Sequence, residues 1–230
     1  MTQTVDLHIW SLAASEADHE YADYLTAEET ARKDRFVFER DQTAFLIGRG
    51  RLRVIIGQLM GLVPADVPFT YGASGKPAIP GGPQFNLSHS GGIACLAVHP
   101  TLTLGADIEA HRPIERDVAK RFFSPTEYQA LMALPEADRE SGFYRIWTRK
   151  EAVVKALGGG LSIPLDAFDV TLDKDSAALL RLDPVYGNQT DWSLRPFQIG
   201  GTMPGAVAVQ TADDVALKVA TCDSDIPVSV

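Results

Sequence analysis

Trp147-Thr148-Arg149-Lys150-Glu151-Ala152-Val153-Val154-Lys155-Ala156-Leu157, followed by Gly158-Gly159-Gly160, is the stretch on which the reading of this chain turns. At about 100° per residue, Ile146, Trp147, Val153, Val154 and Leu157 gather on one arc, which predicts a helix with one core-facing side. Glu151 and Lys155 stand on the margin of that arc, one turn apart, and Lys150 falls inside it. Charges at the edge of a core-facing helix are unfavourable unless they are paired or the apolar face opens onto a cleft. A Glu-Lys pair on a solvated flank, contributing a few tenths of a kcal/mol, is the competing reading. The three glycines close the helix; with no Gly-Lys-Ser or Gly-Lys-Thr after them they form no phosphate-cradling loop.

Upstream, in Leu102-Thr103-Leu104-Gly105-Ala106-Asp107-Ile108-Glu109, the period is two. Leu102, Leu104, Ala106 and Ile108 point one way, so Asp107 and Glu109 share the other face with Cβ atoms roughly 6 to 7 Å apart. Two such carboxylates can share a hard cation. Glu151 can supply a third oxygen, and water and phosphate oxygens can complete an octahedral magnesium shell. Solvated acids at a frayed strand end are the alternative. His99-Pro100-Thr101 joins this strand to Ile93–Val98, which predicts an antiparallel hairpin with the two acids at its end.

With 230 residues, 45% hydrophobic and 22% charged, the chain has the composition of one large or two small globular domains. Cys95 and Cys222 are its only cysteines and lie in no CxxC spacing, which argues against a disulfide framework or structural zinc. No apolar run approaches ~18 residues, and Met1–Leu12 lacks the basic and apolar regions of a targeting segment. A cytoplasmic monomer with no membrane partner is expected. The net charge of -9 argues against broad nucleic-acid binding. Its distribution is uneven. Residues 31–53 hold Arg32, Lys33, Arg35, Arg40, Arg49, Arg51 and Arg53 against three acids, which suits a phosphate-rich ligand, although a solvated helix face accounts for any single arginine.

Along the chain, Val5–Leu12 alternates as a strand, and Thr26-Ala27-Glu28-Glu29 carries a capping-box pattern. Phe45, Leu52, Ile55, Ile56, Leu59 and Met60 recur at helical spacing and predict the longest helix over 41–62. A shaped loop rich in proline and glycine follows. In it Gly75-Lys76-Pro77 sets a cation on backbone with little freedom, suited to a fixed anion or nucleotide edge. Asn86-Leu87-Ser88-His89-Ser90-Gly91-Gly92 is a polar cluster. Its adjacent serine and histidine suit phosphate hydrogen bonds better than a nucleophile-base pair, though a structural histidine is the bland reading. Helices are expected over 114–123, from Ser124-Pro125-Thr126-Glu127 onward, and over 138–157; five strands are expected after Gly160. No internal repeat is visible. The order supports a mixed, largely antiparallel α+β fold.

Gly105-x-Asp107-x-Glu109 followed by Trp147-x-x-Lys150-Glu151-Ala152-x-x-Lys155 resembles the paired signature of the 4′-phosphopantetheinyl transferases. The resemblance to the Sfp-type, or surfactin-synthetase-activating, members extends through Gly75-Lys76-Pro77, Phe85-Asn86-Leu87-Ser88-His89-Ser90-Gly91 and Gly160-Leu161-Ser162-Ile163-Pro164-Leu165. It implies two similar α+β halves related by a pseudo-twofold, with coenzyme A in the cleft between them. Residues 1–103 would carry the nucleotide and phosphate contacts, and residues 104–230 the magnesium site and catalytic helix.

The implied reaction is magnesium-dependent transfer of the 4′-phosphopantetheine arm from coenzyme A to a serine of an acidic acyl or peptidyl carrier protein, releasing 3′,5′-ADP. Asp107, Glu109 and Glu151 would hold the metal. Glu151, Lys155 and Asp107 would be catalytic, with Glu151 also accepting the serine proton and Lys155 meeting the leaving phosphate. Coenzyme A would touch Arg49, Lys76, Pro77, Asn86, Ser88, His89 and Lys150 as well as Asp107, Glu151 and Lys155. One departure stands out: Gln42 and Ala44 occupy positions where some members place a basic residue on the 3′-phosphate, so that role is assigned to Arg49, with Arg40 in reserve. Arg112–Phe123, basic and amphipathic, is the expected carrier-docking segment, the competing reading being that Ile114, Val118 and Phe122 are ordinary core. A non-catalytic coenzyme A-binding regulator and a magnesium-dependent pyrophosphate hydrolase are the competing classes.

Overall fold

The computed structural model describes residues 1–14, 19–72, 75–114, 117–223 and 226–230. Strand β1 (Thr2–Ser11) buries Val5, Leu7 and Ile9 completely. The single turn α1 (Tyr21–Tyr24) precedes α2 (Ala27–Lys33), on which Thr26 and Glu29 close a reciprocal cap. Helix α3 (Glu39–Met60) stops at Gly61, whose φ of 67° is the left-handed conformation that ends many helices. The proline- and glycine-rich segment contributes only the two-residue ladder of β2 (Thr70–Tyr71) and β3 (Pro77–Ala78). Strands β4 (Gln84–Ser90), β5 (Ile93–His99) and β6 (Leu104–Ile108) follow, then helices α4 (Val118–Phe122), α5 (Pro125–Ala133) and α6 (Glu136–Leu157). The chain continues through β7 (Phe168–Val170), β8 (Leu179–Leu182), β9 (Trp192–Ile199), β10 (Met203–Gln210), β11 (Asp214–Thr221) and β12 (Val228–Ser229).

The fold is α+β, with two four-stranded sheets ordered β11-β1-β5-β4 and β12-β9-β10-β6. Their inner faces pack Val5, Leu7 and Ile9 against Leu104, Ala106, Ile108 and Val207. Helix α3 covers the outer face of the first sheet through Ile47, Leu52 and Ile56, and α6 covers the second through Ile146, Val153 and Ala156. Among the described residues no helix is long and apolar enough to cross a membrane.

A repeat invisible along the sequence is plain in the connectivity. Strand, long helix and hairpin occur twice: β1, α3, β4 and β5 with strand order β1-β5-β4, then β6, α6, β9 and β10 with order β6-β10-β9, every pairing antiparallel. Both hairpins turn on two left-handed glycines, Gly91-Gly92 and Gly200-Gly201. Strand β11 then adds in parallel to β1.

The expected hairpin between 93–98 and 102–108 does not form, since β5 pairs with β4 and β1 while β6 pairs with β10. His99 Nδ1 accepts the Thr101 and Leu102 amides at 3.1 and 2.8 Å and turns the chain out of the first sheet into the second. The polar cluster at 86–90 is likewise part of a strand, paired with β5.

Each unit also buries one matched ion pair. Arg53 Nε of α3 lies 2.9 Å from Glu29, the capping glutamate of α2, and Lys150 Nζ of α6 lies 2.8 Å from Glu127, the capping glutamate of α5. Arg53 also donates to the carbonyls of Pro64, Ala65 and Val67, and Lys150 to those of Leu165 and Phe168. Lys150 is therefore not a coenzyme contact. Its ammonium is fully buried and faces Glu127, two carbonyls and the Phe168 ring 4.3 Å away, as its place inside the apolar arc requires.

Candidate active site

Gly105 brings the acid-bearing strand β6 against α6. A Cβ at this position would collide with the carbonyl oxygen of Ala152 and the nitrogen of Ala156, so only glycine lets β6 lie this close to α6. Two residues on, Asp107 is 3% exposed, and its Oδ1 accepts from Lys155 Nζ at 2.5 Å and from Ser88 Oγ at 2.9 Å. Its Oδ2 is buried with no hydrogen-bond partner. Burial raises the Asp107 carboxyl to about 6 against the opposing pull of the Lys155 ammonium. Burial also raises Glu151, opposed by Lys155 and reinforced by the charge of Glu109. Glu109 thus lies within electrostatic reach of both Asp107 and Glu151. Among the described residues the three acids do not form a ready-made metal-binding group.

The third strand of the site is β4. Asn86 Oδ1, Ser88 Oγ and Ser90 Oγ accept the backbone amides of Ala106, Ile108 and Ala110 at 2.8, 3.4 and 3.0 Å. Side chains, not backbone carbonyls, satisfy this edge of β6. Ser90 also donates to Glu109 Oε2 at 2.7 Å. Asn86 is buried on that seam and does not line the cleft described below. Lys76 also works inside the protein. Its Nζ donates to the carbonyls of Leu104 and Lys155 at 3.1 and 2.7 Å, tying the start of β6 to the C-terminal end of α6, where a cation complements the helix dipole. Burial, helped by the Lys155 charge, lowers its ammonium to about 8. Pro77 holds the adjoining backbone in β3, paired with Tyr71.

On the other face of β4 lies a cleft of about 770 Å³ lined by Arg32, Phe36, Arg40, Phe45, Arg49 and His89, together with Ser90 and the Gly91-Gly92 turn. Strand alternation sends Ser88 toward Asp107 and His89 into this cleft. Arg49 is 9% exposed. Its Nε lies 3.4 Å from Glu29 Oε1, and its guanidinium sits between Phe45, Phe69 and Tyr71, 5.6 to 5.9 Å from each ring centre. Its Nη1 is buried without a partner, which suits an incoming anion. Ser90 touches both places, lining the cleft and binding Glu109. A second cleft of about 630 Å³ is lined by Arg145, Arg149 and Arg195; neither lining includes the three acids, but the first shares Ser90 with the Glu109 contact and the second does not.

Glu29 and Ser90 were not candidate site residues from the sequence, and Arg32 stood only as one of the cations of 31–53 that suit a phosphate-rich ligand. Glu29 was legible only as a helix cap. Ser90 was signalled by the period-two run Asn86-x-Ser88-x-Ser90, which has meaning once the segment is a strand.

A buried carboxylate beside an ammonium, with two half-buried acids near it and a guanidinium-rich cleft bordering the same strand, is chemically suited to moving a phosphoryl group. The chain belongs to the 4′-phosphopantetheinyl transferase superfamily, whose description matches residues 103–212, and the 4′-phosphopantetheinyl transferase N-terminal description matches residues 10–101. It is a transferase of that class. It is 36% identical to the 4′-phosphopantetheinyl transferase HetI of a Nostoc species, over 89% of this chain and 87% of that one. It is 40% identical to a 4′-phosphopantetheinyl transferase of Bacillus subtilis over 74% of this chain and 76% of that one. The Sfp enzyme of Bacillus subtilis is 35% identical, again over 74% of this chain and 76% of its own.

Proposed function

We propose that the phosphopantetheine donor is coenzyme A, that the acceptor is a serine hydroxyl of an acyl or peptidyl carrier protein, and that magnesium assists. Asp107, Glu109 and Glu151 are the residues that would hold the ion. The donor set fits: all are hard carboxylate oxygens, and the unpartnered Oδ2 of Asp107 is a buried acceptor in want of a positive neighbour. Magnesium bound there would withdraw charge from the pyrophosphate.

The chain's own residues account for the remaining steps. The serine oxygen forms a bond to the phosphorus carrying pantetheine, the bond from that phosphorus to the bridging oxygen breaks, and 3′,5′-ADP departs with the electron pair. Glu151, with its carboxyl raised by burial, is the base that accepts the serine proton, directly or through water. Lys155 supplies positive charge to the departing phosphate. Ser88 fixes both Asp107 and Lys155. Arg49 and His89, with Arg32 and Arg40, are the cleft groups for the phosphates of the nucleotide. On this reading residues 1–103 present the nucleotide cleft and residues 104–230 the acids.

The observation that carries the proposal is the ordering of Asp107 by Lys155 and by Ser88, whose strand neighbours Leu87 and His89 line the arginine-rich cleft. Intact-protein mass spectrometry tests it. Coenzyme A, magnesium and an apo carrier should give a carrier heavier by one phosphopantetheine, and Glu151→Gln should slow the gain by about 10²-fold or more. Release of 3′,5′-ADP without carrier would favour a hydrolase, and coenzyme A binding with no mass gain on several carriers a regulator.

A further inference from the structure

Two serines on β4 each hold one carboxylate of β6. Ser88 donates to Asp107 and accepts the Ile108 amide; Ser90 donates to Glu109 and accepts the Ala110 amide. The match follows from geometry, since residues two apart on neighbouring strands face the same side. A serine hydroxyl has one proton to give. In Ser90 the backbone amide, 3.0 Å away, occupies a lone pair, so that proton is directed to Glu109 Oε2 at 2.7 Å.

We propose that Ser90 is a positioning residue: it pins the Glu109 carboxylate through Oε2 and leaves Oε1 as the ligating atom. The inference rests on the reading of Glu109 as a metal ligand. Glu109 needs such a pin more than Asp107 does. Asp107 has a short side chain, 3% exposed, with two donors on Oδ1, whereas Ser90 is the one hydrogen-bond donor to the Glu109 carboxylate among the described residues. The backbone of Glu109 is anchored separately, its amide donating to the Pro204 carbonyl at 3.1 Å. The side chain beyond it has three torsions to be fixed. Groups that orient metal ligands from behind typically change metal affinity by about 10- to 100-fold when removed. Ser90 also lines the arginine-rich cleft, so the residue that aligns the ligand borders the place where the nucleotide would enter.

The test is titration of the metal-free, full-length protein with manganese, the free ion being read by electron paramagnetic resonance without coenzyme A. Ser90→Ala should weaken binding by about 10- to 100-fold, whereas Ser90→Thr, which keeps the hydroxyl on a strand, should stay within about threefold of wild type. In turnover, Ser90→Ala should raise the metal concentration for half-maximal rate and leave the rate at saturating metal within about threefold. A merely structural role would lower the melting temperature without this metal dependence. Should Ser90→Ala fail to fold, Ser90→Cys, similar in size with a weak donor, should show the same loss. Glu109→Gln separates the two levels. If it weakens manganese while a folded Ser90→Ala does not, or if Ser90→Ala and Ser90→Thr lose equally, the pin is overturned and the metal site stands. If Glu109→Gln leaves manganese binding unchanged, the metal-site reading falls and the pin with it.

Discussion

Arg53 and Lys150 stand at the same place in two helices of the same length, each fourteen residues beyond the first residue of a 22-residue helix. Each closes on the glutamate that caps a shorter preceding helix, and each then ties down the segment after its own helix through carbonyl oxygens. Two units with unlike sequences thus use one buried latch.

Lys150 stabilises the fold and should not set coenzyme affinity. Removing one partner of a buried pair leaves an uncompensated charge, so Lys150→Met should destabilise by about 3 to 5 kcal/mol. Pairing it with Glu127→Gln, which neutralises the stranded acid but can accept only one of the Ser124 and Val170 amides because these bind different carboxylate oxygens, should recover part of that loss. Denaturant titration measures both. The KM for coenzyme A, measured below the unfolding transition, should match wild type. A large rise would return Lys150 to the ligand site.

Asp107 is expected to exchange stability for function. Its folded carboxyl lies near 6 against an ordinary 3.8, so between those values the folded state binds the proton more tightly than the unfolded chain. Metal-free protein therefore loses stability as pH rises from about 4 to about 6, and the whole burden is present above that window. Asp107→Asn keeps the shape and can still meet Lys155 and Ser88 while removing the buried charge. Near pH 7 it should be more stable by on the order of 2 kcal/mol, converge with wild type near pH 4, and lose transfer by about 10²-fold. Lower stability of the variant at neutral pH would mean that the ion pair to Lys155 outweighs the burial.

Arg49 is the cleft cation with an unpartnered nitrogen, and its neighbour Glu29 keeps Arg53 when it is removed. The fold should therefore survive Arg49→Ala. Coenzyme A should bind more weakly by about 1.5 to 3 kcal/mol, the range for a charge-assisted hydrogen bond, and dephospho-coenzyme A by much less. Calorimetry on both ligands decides. Equal losses would move the 3′-phosphate to Arg32 or Arg40.

The features legible in the sequence were local. The caps Thr26-Glu29 and Ser124-Glu127 needed three residues of context, and the opposition of Asp107 and Glu109 to Leu104, Ala106 and Ile108 needed only a period of two. What escaped depended on distant partners. Lys150 was correctly placed inside the buried arc, yet nothing nearby shows that Glu127 waits for it. Asn86 and Ser88 stood as coenzyme contacts, and Ser90 as none, because polar side chains in a row suggest a loop. Their strand became intelligible with the facing edge of β6, whose amides they accept. The parallel pairing of β1 with β11 joins segments more than two hundred residues apart and leaves no local trace.

Carrier docking is expected at the exposed cations around α4, on revised grounds. The apolar strip Ile114, Val118 and Phe122 is half-buried, because all three pack against the core that α6 shares, with Phe122 edge-on to Trp147 at 6.0 Å. That leaves the charges. Arg112, Lys120 and Arg121 are exposed, while Arg116, also part of the expected strip, lies outside the described residues. In a chain of net charge -9, such a positive rim would steer an acidic carrier, and steering acts on encounter more than on the chemical step. Arg121 lies over the Phe122 ring, so reversing Arg112 and Lys120 avoids that contact. Arg112→Glu with Lys120→Glu should raise the carrier KM several-fold, leave the coenzyme A KM unchanged, and flatten the salt dependence of carrier KM, since screening acts on exposed charges about a Debye length apart. Steady-state kinetics at low and high salt measure all three. Unchanged carrier kinetics in the folded double variant would put the docking surface on another part of the cleft rim.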